Sequence, residues 1–195
     1  MSATPTTSEK LLLATINLMA EKGYDGTTTK EIALAAGVNE VTLFRHFGTK
    51  EKLLEAAFSR FHYGNEMTRL FNEDLKGYLQ EDLLTVSRTY HSIMNRNRKL
   101  ISIALKGSSS LPDSVLQEAS RNPTHLKNLL TDYLTAMSSE GKVVTSNPEI
   151  QALSFMWMNY GAFINRLNDE EAVSEDVLDD FIEESVRIFT KALSP

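Results

Sequence analysis

The sequence predicts an all-α protein, a small N-terminal three-helix unit followed by a larger helical body. Only five prolines and nine glycines interrupt 195 residues. No stretch sustains the apolar–polar alternation of a strand, and apolar residues recur at three- and four-residue spacing almost throughout. The expected division is residues 1–52 and residues 53–195.

The first helix opens at Thr6, which stands at capping-box spacing from Glu9. It carries Leu12, Ile16 and Met19 along one stripe and stops at Gly23. Thr28 and Glu31 repeat the capping pattern before a second helix with Ile32, Ala33 and Ala36 inward. Gly37 makes a corner, and Asn39 supplies the next N-cap. Leu43 and Phe47 then lie one turn apart in a third helix. Thr49 caps a fourth, expected to reach about residue 75, with Leu53, Leu54, Ala57, Phe58, Phe61 and Leu70 on its apolar side. Helices follow near 80–95, 97–106, 112–121 and 123–139, separated by Gly77, the GSSS run at 107–110 and Pro123. Two strongly patterned helices close the chain. Residues 149–167 put Ile150, Leu153, Trp157, Tyr160 and Ile164 on one face. Residues 175–193 put Leu178, Phe181, Ile182, Val186, Phe189 and Leu193 on another, with Ser174 as the expected cap after an acidic joint.

Composition removes several function classes. With no cysteine, disulfides, thiol catalysis and cysteine-ligated zinc are excluded. The first ten residues lack the basic and apolar regions of a secretory signal. The most apolar run, from Ala152, is too short to span a bilayer and is broken by Asn159. A cytoplasmic location without membrane contact is expected. His62, His91 and His125 are far apart in sequence with no carboxylate at paired spacing, so no metal is expected. The serines of residues 107–110 lack a phosphate-loop context, and no nucleophile sits in a recognised elbow. No catalytic residue and no cofactor are expected.

Charge is unevenly shared. The net charge is −6, yet residues 1–52 balance six Lys/Arg against six acids, and the remaining fourteen basic and twenty acidic residues supply the whole excess. An acidic body of this kind repels polyanions, while the neutral N-terminal unit permits one local binding face. Its helix, glycine corner and helix are the ingredients of a helix-turn-helix. Val38, Leu43 and Phe47 face a core with Leu12, Ile16, Ile32 and Leu53. Glu40, Val41, Thr42, Arg45 and His46 are left outside, a face that suits the DNA major groove.

The run from Gly23 to Leu54, GYDGTTTKEIALAAGVNEVTLFRHFGTKEKLL, closely resembles the N-terminal signature of the TetR (tetracycline repressor) family of transcription regulators. The Gly-aromatic end of helix one, the Thr-Thr entry, Ile-Ala-x-x-Ala-Gly-Val at the corner, Thr-Leu-aromatic-x-His-Phe and Lys-Glu-x-Leu-Leu all take part. The resemblance implies phosphate contacts from Thr28 and Thr29, a base or backbone contact from Lys30, and a base or phosphate contact from Thr42. It implies backbone contacts from His46 and Lys50, and places Arg45 in an exposed, variable slot. Three positions depart from the pattern. Phe44 replaces the usual tyrosine and loses its hydroxyl. Asn39 replaces serine or threonine but keeps the capping oxygen. Val41 replaces a frequent glycine or proline and offers an apolar knob to a thymine methyl. Glu40 repels phosphate, and either accepts from a cytosine amino group or is solvated.

The same resemblance implies a homodimer through the last two helices, about 149–167 and 175–193, and a small organic effector bound in the C-terminal domain. Candidate lining residues are Phe61, Met67, Phe71, Tyr90, Met94, Trp157 and Tyr160, with His62, His91 and Asn159 as polar anchors; plain core packing is the rival for each. This inventory favours a flat or aliphatic organic molecule. The leading expectation is a dimeric repressor that binds a near-palindromic double-stranded DNA operator and is released by its effector. The alternatives are an all-helical enzyme, which lacks convergent catalytic groups, and a dimeric helical scaffold with a decayed DNA-binding head, for which Glu40 and Phe44 give slight support.

Overall fold

A computed structural model describes residues 5–107, 109–167 and 175–195, and all regular structure among them is helical. The order is α1 (Thr7–Lys22), α2 (Thr29–Ala35), α3 (Glu40–Phe47), α4 (Lys50–Arg60), α5 (Gly64–Arg69), a π-helical turn (Leu70–Asp74), α6 (Leu79–Arg96), α7 (Arg98–Lys106), α8 (Asp113–Ser139), α9 (Pro148–Leu167) and α10 (Glu175–Leu193). The chain forms two compact units, Met1–His62 with Asn97–Arg121, and Tyr63–Arg96 with Asn122–Pro195. Ser174, the expected cap of α10, lies outside the described residues.

The first unit is wider than its motif. Leu11, Ile16, Met19, Ile32, Leu43, Leu53 and Leu54 form its centre, and Leu100, Ile103, Leu111 and Val115 join the same core. The segment with α7 and the first turns of α8 therefore packs with the N-terminal helices, where the sequence alone placed the boundary at residue 52. Its four expected caps are present. Thr6 and Thr28 form reciprocal capping boxes with Glu9 and Glu31, while Asn39 and Thr49 accept from Val41 N and Lys52 N.

The second unit centres on α6, which packs on both α9 and α10. Leu83, Val86, Ile93, Leu126, Leu130, Phe155, Ile182 and Val186 are buried in its interior, all at most 2% exposed. Phe155 and Phe189 pack with ring centroids 5.3 Å apart.

Three expectations fail. α4 stops at Arg60 and not near residue 75, with Phe61 out of helical geometry and the Tyr63-Gly64 pair starting α5. Pro123 does not break the chain but sits inside α8. An interior proline costs about 3 kcal/mol through its missing N–H and ring clash. Burial of Leu111 and Val115 before it, and of Leu126, Leu130 and Leu134 after it, anchors the helix on both sides of that defect. In α9 the buried stripe is Ala152, Phe155, Asn159 and Phe163, whereas Ile150 and Trp157 are 54% and 66% exposed. Apolar periodicity cannot orient a helix that is apolar on both sides.

Candidate nucleic-acid interface

The corner between α2 and α3 closes through backbone hydrogen bonds from Gly37 N to Leu34 O and from Val38 N to Ala33 O, each 3.0 Å. Gly37 has φ +69°, and no atom approaches the place of a Cβ. The glycine is thus demanded by backbone conformation and not by space. Leu43 is fully buried beneath α3 and half-buried Val38 and Phe47 support it, so one side of the helix is anchored. The other side carries Val41, 73% exposed, then Thr42, Phe44, Arg45 and His46. Lys30 and Arg45 are exposed, and neither has an ion pair among the described residues.

Three residues expected to touch DNA are already engaged within the protein. The Thr28 hydroxyl accepts from Glu31 N and donates to Glu31 Oε2 at 2.8 Å, so it serves as a cap. Lys22 donates to the same carboxylate from 2.8 Å. The Thr28 hydrogen bonds and this ammonium, Lys22 foremost, hold the Glu31 carboxyl at about 2. Thr29 donates to Glu40 Oε1 at 2.6 Å, tying the first turn of α2 to the first turn of α3. Glu40 is accordingly neither simply solvated nor free to receive a cytosine amino group with that oxygen. Lys50 donates to the carbonyls of Tyr24 and Thr27 at 2.9 and 3.1 Å, and its ammonium lies 4.1 Å from the Tyr24 ring centre. It clamps the loop after α1 onto the start of α4. The sequence signal for this role, an aromatic at Tyr24 ahead of a lysine at the head of α4, is visible only once the loop has folded.

Asn39 is exposed, and its side chain accepts from Val41 N at 2.8 Å. The face left unoccupied is therefore Lys30, Val41, Thr42, Phe44, Arg45 and His46. Lys30 on α2, with Arg45, a hydroxyl and an apolar knob on the anchored helix α3, match what a major groove presents.

The second unit holds a small cavity enclosing about 190 Å³ of empty space, counting its open mouth. Val86, Tyr90, Leu126, Leu130, Phe155, Met156 and Asn159 line it. Of the ten expected ligand contacts, only Tyr90 and Asn159 are on that wall. His91 stands next to Asn159 and edge-on to Tyr90, ring centres 5.7 Å apart. Met67 and Met94 are buried core, Phe71 packs edge-on against Tyr133, and Tyr160 is half-buried. Trp157 points outward, correcting its placement as a lining residue, while Phe61 packs on the first unit's core and His62 is exposed in that same unit. Leu126 with Leu130, and Phe155 with Asn159, are the four-residue repeats in sequence that would have pointed to the missed wall.

Ser87 donates to Asn159 Oδ1, and Asn159 Nδ2 donates to Phe155 O at 2.9 Å. His91 is 6% exposed and its Nε2 atom has no hydrogen-bond partner. Burial pushes its imidazole down to about 4, opposed by Asn159 and reinforced by the positive charge of Arg166. No group of three or more metal-ligating side chains occurs among the described residues. No described helix is long and apolar enough to cross a membrane.

A helix-turn-helix head with an exposed recognition helix, joined to a helical body, defines a DNA-binding transcription regulator. Residues 11–57 match the family described as bacterial regulatory proteins, tetR family. The chain is 34% identical over 188 residues to the HTH-type transcriptional regulator YvkB of Bacillus subtilis, covering 96% of this chain and 97% of that protein. Its fold is similar to that of NalD, the secondary repressor of the MexAB-OprM multidrug efflux pump in Pseudomonas aeruginosa, with TM-score 0.73 and 18% identity over 96% and 95% of the two chains. It is also similar to the transcriptional regulator FadR of Bacillus subtilis, solved in complex with stearoyl-CoA, with TM-score 0.74 and 17% identity over 94% and 97%. The chain belongs to the TetR family of transcription regulators, and its relatives are regulators and not enzymes.

Proposed function

We propose that the protein is a repressor that binds a near-palindromic operator as a homodimer and is released by a small organic effector. The observation that carries this reading is the α3 ridge of exposed Val41, Arg45 and His46 with half-buried Thr42, above a fully buried Leu43. One such ridge meets few bases. Two related by a twofold axis, with centres about 34–36 Å apart, reach successive major grooves. Apolar residues left outside the fold support a dimer through α9 and α10: Ile150 and Trp157 on the first, Val177 and Ile188 on the second, each more than half exposed. Gly161 adds an open spot where another helix can approach closely. NalD is a repressor, which favours repression over activation here. The engagement of Glu40 by Thr29 withdraws the main support for a decayed head.

Fluorescence anisotropy on a selected duplex, repeated across a salt series, tests this. Binding should weaken steeply with salt as phosphate contacts release counterions. Trp157→Glu should shift the protein toward monomer by a factor of roughly thirty in dissociation constant, the effect of losing an aromatic anchor, and should weaken operator binding in parallel. A salt-independent affinity, or a Trp157→Glu protein that still sediments as a dimer, would defeat the reading.

A further inference from the structure

We propose that Val41 and Phe44 together read the C5-methyl groups of pyrimidines on neighbouring base pairs, so that each operator half-site carries thymine or 5-methylcytosine at two adjoining positions. This rests on the reading of α3 as the element that enters the major groove, and it names the base chemistry selected there.

The polar side chains at the start of α3 are already engaged. Residues near the N-terminus of a recognition helix are the ones that meet base edges. Asn39 turns its side-chain oxygen onto Val41 N at 2.8 Å, so it does not give adenine the paired donor and acceptor contact that asparagine otherwise makes. Glu40 accepts from Thr29 at 2.6 Å, and Thr42 is half-buried. What projects from this turn is the side chain of Val41, 73% exposed.

Phe44 stands three residues further along and is 46% exposed. Side chains at that spacing share a helix face, with Cβ atoms about 5–6 Å apart. Base pairs follow one another at about 3.4 Å along the duplex, so the two side chains span one or two base steps. Neither carries a hydrogen-bonding atom, and Phe44 has no hydroxyl to offer a phosphate. Both are held before DNA arrives: Val41 is β-branched and restricted about χ1 in a helix, and Leu43 between them is fully buried.

The major groove offers such a pair one kind of target. Base edges there present donors and acceptors, and the C5 methyl of thymine is the one apolar group among them. A 5-methylcytosine carries the same methyl on the same ring carbon. Against an unmethylated edge, Val41 and Phe44 would displace water from donors and acceptors without replacing its hydrogen bonds, which is unfavourable.

The probe is a duplex selected from a randomised pool, with binding to the full chain followed by fluorescence anisotropy. Thymines are replaced one at a time by deoxyuridine, which keeps every hydrogen-bonding group and removes only the methyl. Affinity should fall roughly fourfold at each of two neighbouring positions in both half-sites, the effect of one buried methylene-sized group, and stay unchanged at other thymines. Cytosine at either position should bind roughly fourfold more weakly than 5-methylcytosine there. Val41→Ala should abolish the deoxyuridine penalty at one of the two positions, and Phe44→Ala at the other. Equal affinity for thymine and deoxyuridine duplexes, equal affinity for cytosine and 5-methylcytosine duplexes, or a penalty that survives unchanged in Val41→Ala each overturns the proposal. The base replacements need no protein variant, so the test stands even if Phe44→Ala fails to fold. A selected motif bound without methyl dependence removes this inference alone, whereas a pool that yields no motif removes the repressor reading with it.

Discussion

The two units treat their polar groups differently. In the first, polar side chains around the recognition helix are tied down: Thr28 to Glu31, Thr29 to Glu40, Asn39 to its own helix, and Lys50 to two carbonyls. The groups left over are those on the outward face of α3 and Lys30. The second unit is also well satisfied in places. Its buried Asp82 accepts from Lys76 N, Gly77 N and the Tyr133 hydroxyl. Beside its cavity, however, His91 Nε2 has no partner, and α9 turns Trp157 outward. A head that reads bases needs fixed geometry, so its polar atoms serve as struts. The body, proposed to respond to another molecule, keeps such groups in reserve.

The largest effect should come from removing the support under the head. Leu43→Ala deletes a fully buried side chain and should destabilise the first unit by about 2–5 kcal/mol. Denaturant unfolding followed by amide exchange in α2 and α3 should show the loss there, with operator binding lost at temperatures where the second unit remains folded.

Acid should then separate the units. The folded-state pKa of His91 lies at about 4, below the ordinary 6.5, so the unfolded chain takes up the proton first. Stability of the second unit should fall by a few kcal/mol as pH drops from about 6.5 to 4, with no further loss from this group below that. Glu31, held at about 2 against an ordinary 4.5, contributes stability above pH 4.5 that is lost as pH falls toward 2. The single tryptophan, Trp157, reports on α9. Its fluorescence should change at a higher pH than the amide signals of α2, and His91→Phe should remove the earlier transition.

Lys50→Met separates a strut from a phosphate contact. Losing two charge-assisted hydrogen bonds at a half-buried site should cost about 1–2 kcal/mol of stability. If Lys50 acts only as a clamp, operator affinity falls while the slope of log affinity against log salt is unchanged. A slope reduced by about 1 would instead mark a direct phosphate contact. The smallest effect belongs to Glu40→Gln, which keeps an acceptor for Thr29 while removing a negative charge from the start of α3. Stability should change by less than about 0.5 kcal/mol and operator binding should be equal or slightly tighter. Glu40→Ala should bind more weakly, because the tie to α2 is gone.

Local chemistry was legible in the sequence, and tertiary choice was not. Thr6, Thr28, Asn39 and Thr49 were readable as caps because capping depends on two or three neighbouring residues. The glycine corner was readable because few residues accept that backbone conformation. The engagement of Lys50, Thr29 and Glu40 was hidden, since their partners lie 11 to 26 residues away. Pro123 misled because a strong local breaking tendency was overridden by core residues on both sides. In α9, Trp157 looked like the centre of the buried stripe, yet the helix turns Phe155 and Asn159 inward. No one-dimensional pattern decides which apolar side of such a helix meets its own fold.

The central claim is that the outer face of α3 reads DNA sequence. Selection of bound duplexes from a randomised pool, run side by side with the wild-type protein and Arg45→Ala, tests it most directly. The account predicts that the wild type enriches two symmetry-related half-sites one helical turn apart, and that Arg45→Ala changes the preferred base at the same position of both. No enrichment by the wild-type protein, or an identical motif bound equally well by both proteins, would contradict it.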